Sequence, residues 1–314
     1  MELRHLRCFL AVAEELHFAR AAVRLHIEQS PLSRAIKELE EELGVVLFAR
    51  TTRSTRLTRE GKLFLEHVRR VFAALQQARD SVKAAANGFH SQLRVALSDG
   101  ITPSRLPTLL ALCRQEEPEV EIRFCEVPLS QQIKGLHDDL YDVGFAQSDE
   151  VGDGILAVPV WSDPIMVAVP ARHPLLAHKS IPLEELLRYP LVLWDPQACE
   201  GSARQVERVL RRADMEPLIA ERAASCDLMM ALVSAGFGLG LTGSAHIAAS
   251  REQGIVARPL TGRFPVLTTY LLRQDVEPSE TFSRFIERVK AIESPEANKP
   301  TSGLHPDTMG EVEP

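Results

Sequence analysis

Apolar and polar positions separate most clearly between Phe18 and Leu43. Leu32, Ile36, Leu39 and Leu43 fall at helical spacing and line one side of a helix, leaving Gln29, Ser30, Ser33, Arg34 and Lys37 on its other sides. One face can pack while another meets a partner. Pro31 fits a first helical position, where its missing N–H costs nothing, and Gly44 marks the end. Upstream, Phe18 to Leu25 predicts a second short helix, in which Ala19, Ala21 and Ala22 let a neighbour approach closely. A helix over residues 3–14 carries the stripe Leu6, Phe9, Leu10 and Ala13. After Gly44, VVLFARTTRSTRLT alternates weakly and predicts two short strands joined by a Ser/Thr/Arg tip, a wing beside the helix pair.

From Thr58, a suitable N-cap, a proline-free helix is predicted to run to about residue 89. Its apolar residues Phe64, Val68, Val71, Leu75, Ala78, Val82, Ala85 and Phe89 alternate steps of four and three, a heptad seam that predicts pairing of two copies of the chain. Asn87 and Gly88 mark a joint. Beyond it, strand and helix patterns alternate, which implies parallel pairing with right-handed crossovers. Strands are predicted at 93–97, 121–127, 141–146, 156–161, 165–170, 191–194, 217–223, 236–242, 254–260 and 266–272. Helices are predicted at 103–117, 130–138, 202–213, 227–235, 244–250 and 279–292. These are too many for one small sheet, so two α/β lobes with a cleft between them are expected, the chain crossing near Gln147 and returning near Leu260.

The fold class is therefore α/β overall: a winged helix-turn-helix at 1–58, a linker helix at 59–89 and a two-lobed α/β domain at 90–293. Lobe I takes 90–147 and 261–293, lobe II takes 148–260, and the Pro-, Gly- and charge-rich residues 294–314 are expected to be disordered.

Charge sharpens this division. The chain of 314 residues has a net charge of −7, yet residues 1–88 hold 15 Lys+Arg against 11 Asp+Glu, a net of +4, leaving −11 for the remainder. Such asymmetry points to a nucleic-acid-facing N-terminus. Within the wing, Arg50, Arg53, Arg56, Arg59 and Lys62 face only Glu60. Clustered Arg with Thr and Ser donors suits phosphate contacts; a solvated loop is the plainer reading, and the adjacent helix pair favours the first. The 5 cysteines are scattered without a CxxC pair, predicting reduced thiols rather than a disulfide framework or a zinc site. No apolar run reaches the roughly 18 residues of a membrane span, and the N-terminus lacks a signal-like apolar stretch, so a cytoplasmic protein without membrane contact is expected.

The catalytic signatures are missing. GLGLTG at 238–243 has the letters of a dinucleotide loop, but a helix precedes it and no suitable acidic residue follows, so Gly236 is read as a helix cap and the rest as a tightly packed strand. The 10 histidines show no H-E-x-x-H pattern, and no G-x-S-x-G elbow or Walker lysine is present. Neither a metal nor a cofactor is expected, and an enzyme is disfavoured. Small polar residues do gather at strand-to-helix junctions: Ser98, Asp99 and Thr102; Ser130; Ser202; Ser225, Cys226 and Asp227. Ligands of open α/β sheets sit at such junctions, where helix N-termini present free N–H groups, so a small carboxylate fits the cleft. The same residues also serve as ordinary N-caps, and the aspartates oppose an anion unless they point away.

The run AEELHFARAAVRLHIEQSPLSRAIKELEEELGVVLFARTTRSTRLTREG closely resembles the DNA-binding domain of LysR-type transcriptional regulators, and a looser likeness, including ALVSAGFGLGL, extends to about residue 292. The resemblance implies a winged helix-turn-helix, a linker-helix dimer and an effector domain like periplasmic binding proteins. Implied partners are double-stranded promoter DNA, a small-molecule effector, a second copy in a homodimer or dimer of dimers, and RNA polymerase. DNA contacts would fall on Gln29, Ser30, Pro31, Ser33, Arg34, Lys37, Arg50, Arg53 and Arg56, and effector contacts on Ser98, Thr102, Ser130, Gln147, Ser202 and Cys226. Glu28 departs from the family's usual small polar residue, and Thr242-Gly243-Ser244 from its frequent Leu-Pro. The rivals are an α/β enzyme or solute-binding module with an incidental helical head, and a constitutive DNA-binding protein with an empty cleft.

Overall fold

In the computed structural model the described residues are 1–50, 54–98, 105–250, 252, 254–262 and 265–292; Arg53, Thr102 and the 294–314 tail lie outside them, as does the side chain of Arg50. The head comprises α1 (Leu3–Glu15), α2 (Phe18–Arg24), α3 (Gln29–Leu43) and a two-stranded antiparallel wing, β1 (Phe48–Arg50) and β2 (Thr55–Leu57). The long helix α4 (Arg59–Ala86) follows. Next come β3 (Ser91–Leu97), α5 (Leu106–Glu116), β4 (Val120–Glu126), α6 (Leu129–His137), β5 (Val143–Ala146) and β6 (Ile155–Pro170). A 3-10 turn at Pro174–Ala177 leads to α7 (Leu183–Leu186), β7 (Leu191–Trp194), α8 (Glu200–Leu210), β8 (Ile219–Ala223), α9 (Cys226–Ser234) and β9 (Leu239–Gly243). The chain closes through α10 (Ser244–Ala249), β10 (Ile255–Pro259), β11 (Val266–Gln274) and α11 (Glu280–Ala291).

Two features of the head differ from the sequence-based expectation. The expected recognition helix, α3, begins at Gln29, so Pro31 occupies its third position rather than its first; the first i→i−4 bond is Leu32 N–H to Glu28 O, and the proline still removes no helical hydrogen bond. The head core also reaches past residue 58. Phe9 is fully buried with its ring centroid 5.3 Å from Phe48 and 4.9 Å from Phe64, and Val68 of α4 joins the same cluster. Phe64 and Val68 therefore serve the chain's own core, while Val71, Ala78, Val82 and Ala85 of the seam stay exposed. Gly61 makes the join possible, because a Cβ there would lie 2.1 Å from Leu47 O.

The sheet order is β4-β3-β5-β11-β6-β9-β7-β8, with β10 on β6. Pairs within each end, β3 with β4 and β5, and β7 with β8 and β9, are parallel as expected. The middle is not: β6 runs antiparallel to β11, β9 and β10. The predicted strands 156–161 and 165–170 are one continuous strand, broken in the sequence pattern by Ser162, Asp163 and Pro164. Trp161 stacks on Phe145, 5.0 Å between centroids, in the lobe I core, whereas Ile165 and Val167 belong to the lobe II core. The crossing thus lies within β6, near Ser162–Pro164, and not near Gln147. Gly236 has the positive φ of +81° expected of a helix cap, and Gly238 lies so near Pro190 that a Cβ would meet its carbonyl at 2.6 Å.

Candidate nucleic-acid interface and interlobe cleft

The recognition helix is oriented by its buried stripe. Leu32, Ile36 and Leu39 are each 0% exposed, while Glu28, Gln29, Ser30, Pro31, Arg34 and Lys37 are exposed and Ser33 is half-buried. Glu40, on the inner side, fixes the wing to this helix: its Oε1 accepts from Leu47 N at 2.8 Å and Phe48 N at 3.1 Å. Thr58 closes the wing, its hydroxyl donating to Val46 O at 2.8 Å and accepting from Gly61 N at 2.9 Å. Recognition helix and wing are thereby held as one surface. Arg56, Arg59 and Lys62 are exposed beside it. Lys37 Nζ lies 3.4 Å from Glu41 Oε1, an exposed i,i+4 pair that leaves the lysine free to exchange partners.

The second site is a cavity of about 310 Å³ between the lobes. Lobe I supplies Ser98 and Glu126 to Pro128; lobe II supplies Trp194, Ala198, Cys199 and Ala224 to Asp227. Of the described residues expected to contact an effector, the cavity unites Ser98 and Cys226 only. Ser130 is exposed on α6 and is not part of its lining. Gln147 and Ser202 are buried and engaged with each other, the Ser202 hydroxyl donating to Gln147 Oε1 at 2.6 Å. They form part of a bolt between lobes. Gln205 Nε2 donates to Gln147 O and Thr268 O, each at 2.8 Å, and its Oε1 accepts from Thr268 N at 2.8 Å. Arg204 and Arg208 of the same helix pair with Glu150.

Within the cavity, burial and then the neighbouring Asp227 carboxylate push the Cys226 thiol up to about 12, so it is a neutral packing and hydrogen-bonding group at pH 7. Cys199 donates its thiol to Ala224 O at 3.4 Å. Ser225 caps α9, its hydroxyl accepting from Leu228 N at 3.2 Å. Trp194 is 2% exposed, and its indole N–H has no acceptor among the described residues. Trp194, Cys199 and Glu126 were not singled out from the sequence. The strand-end rule that flagged Ser98 would have reached Trp194, since LVLW ends on it.

A helix-turn-helix head with an exposed polar reading face, joined by a long helix to a two-lobed α/β domain with a cleft, defines a DNA-binding regulator with a ligand-binding domain. The comparisons give the family: residues 3–62 match "Bacterial regulatory helix-turn-helix protein, lysR family" and residues 86–292 match "LysR substrate binding domain". The chain belongs to the LysR family of transcriptional regulators. It is 34% identical over 242 residues to the HTH-type transcriptional regulator YnfL of Escherichia coli, covering 77% of this chain and 82% of that protein. It is 34% identical over 239 residues to the HTH-type transcriptional regulator AlsR of Bacillus subtilis, covering 76% and 79%. Full-length CbnR in complex with its target DNA superposes with a TM-score of 0.69 at 30% identity, covering 93% of this chain and 99% of that one. No helix among the described residues is long and apolar enough to cross a membrane.

Proposed function

We propose that the chain is a sequence-specific regulator of promoter DNA whose output is set by a small molecule bound between the lobes. The observation that carries this is the orientation of α3: Leu32, Ile36 and Leu39 of its apolar stripe are fully buried, so Gln29, Ser30, Pro31, Ser33, Arg34 and Lys37 form its outward face. Arg and Gln offer bidentate hydrogen bonds to guanine and adenine edges, while the wing arginines Arg50, Arg53 and Arg56 hold phosphates. Arg34→Ala is expected to cost about 1–3 kcal/mol on a cognate duplex and to relax preference at one position per half-site. Titration of cognate and random duplexes checks it: equal loss on both makes Arg34 a phosphate contact and removes the base-reading role.

Two copies would pair along the exposed residues Val71, Ala78, Val82 and Ala85 of α4, and the CbnR–DNA complex supports extending DNA binding to this chain. Such a dimer places two α3 helices on two half-sites, and a dimer of dimers extends the footprint. RNA polymerase is the partner through which a promoter-bound regulator of this class would act.

The effector would bridge Ser98 and Cys226, with Trp194 offering a free donor. A small carboxylate gains from the N-terminal turns of α8 and α9 but meets Glu126 and Asp227. A thermal-shift series therefore pairs each carboxylate with its amide and amine counterparts, since binding to the native state raises its melting temperature. Closure around the ligand would act through the bolt of Gln147, Ser202, Gln205 and Thr268, and it shifts the DNA-bound arrangement only if the ligand prefers one closure state. A footprint unchanged by a ligand that does raise the melting temperature contradicts this switch.

A further inference from the structure

We propose that Glu28 reads a base, its carboxylate accepting a hydrogen bond from the N4 amino group of a cytosine in the major groove of each half-site. The inference rests on the DNA-reading assignment above and names a specificity determinant within it. Glu28 is the N-cap of α3, with φ −75° and ψ 155°, a position where Ser, Thr, Asp or Asn normally satisfies a free helical N–H. Its side chain makes no capping hydrogen bond. The helix tolerates this because Pro31, at the third position, has no N–H to be capped. Glu28 is exposed and, among the described residues, makes no ion pair with any neighbouring cation. The carboxylate is thus free beside Gln29 and Ser30, on the first turn of the helix that reads the groove.

A free carboxylate there has few favourable partners. Phosphates repel it, so on random DNA it only weakens binding. The major-groove edge offers two amino donors, cytosine N4 and adenine N6, and on adenine the adjacent N7 is an acceptor that repels a carboxylate. Cytosine is the better match. A carboxylate has no N–H or O–H to give, so it can accept from an amino group but cannot donate to a purine N7.

The test is selection of duplexes from a random pool by the full chain and by Glu28→Gln and Glu28→Ala. Glu28→Gln keeps the shape of the side chain while adding a donor, which suits the N6/N7 pair of adenine. The wild type should enrich cytosine at one symmetric position per half-site, with exchange of that base weakening binding about 5- to 150-fold, the span of a single mismatch. Glu28→Gln should move the preference at that position to adenine, and Glu28→Ala should erase it while leaving the other positions intact. Unchanged preferences in both variants overturn the proposal, as does equal tightening on every sequence, which reduces Glu28 to a repulsive charge. A wild type that enriches no sequence removes the DNA-reading assignment itself, and the proposal with it.

Discussion

Phe9→Ala is expected to destabilise the head by about 3–5 kcal/mol, the usual cost of emptying an aromatic site in a packed core. Phe9 is fully buried and stands between Phe48 of the wing and Phe64 of the linker helix, so the lost ring would leave a cavity at the point where all three parts of the head meet. Neighbours can collapse into it only by moving the wing relative to α3, which the Glu40 bonds to Leu47 and Phe48 resist. A domain of about 60 residues has only about 5 kcal/mol to lose, so most of the DNA-binding surface should melt while the lobes stay folded. Native-state hydrogen exchange checks this: protection should fall in residues 1–72 and persist in β3, β5 and β7. A loss below about 1 kcal/mol would mean that the site repacks freely.

Arg288→Ala should cost lobe I up to about 3–5 kcal/mol, because it removes the more buried of the two arginines that neutralise a buried carboxylate. Arg288 is 8% exposed, and its guanidinium binds Glu116 at 2.6 Å and Glu117; Arg284 binds Glu117 from the other side. Burial raises the pKa of Glu117, but the hydrogen bonds of Arg288 and then Arg284 more than offset it and hold the carboxyl below its ordinary 4.5. The folded state therefore binds this proton more weakly than the unfolded state. The stabilisation is fully present above about pH 4.5 and disappears as pH falls through the lowered folded value. Denaturant melts from pH 7 to pH 3 should show that acid loss in the wild type and a smaller one in Glu117→Gln. A pH dependence identical in the two proteins would remove Glu117 from the acid response.

The head was largely legible because its signals are local. Gly44 and Thr58 cap the elements they were expected to cap, and of the stripe Leu32, Ile36, Leu39 and Leu43 the first three are fully buried and the last half-buried. The lobes were legible in their outer strands and less so in the middle. Ser162, Asp163 and Pro164 made β6 read as two strands, although Pro159 lies within the first of them; Pro159 pairs with Tyr270 beside a register shift, and Pro164 sits opposite the first residue of β11, places where a missing N–H is tolerated. The cleft was the least legible part. Ser98 and Cys226 line it while Gln147 and Ser202 bolt the lobes, yet all four look alike in sequence because caps, bolts and ligand contacts draw on the same polar residues. Gln205 meets Thr268 across a separation of 63 residues, which no local pattern records.

The most direct measurement is the affinity of the full chain for a duplex it enriches from a random pool against a scrambled duplex of equal composition, followed across a salt series. The reading face of α3 predicts that the scrambled duplex binds at least about 10³-fold more weakly at physiological salt, and that both affinities fall steeply as salt rises through release of counterions from the phosphates. Equal affinity for the two duplexes, or binding indifferent to salt, would contradict the assignment of α3 and the wing as a sequence-specific DNA reader.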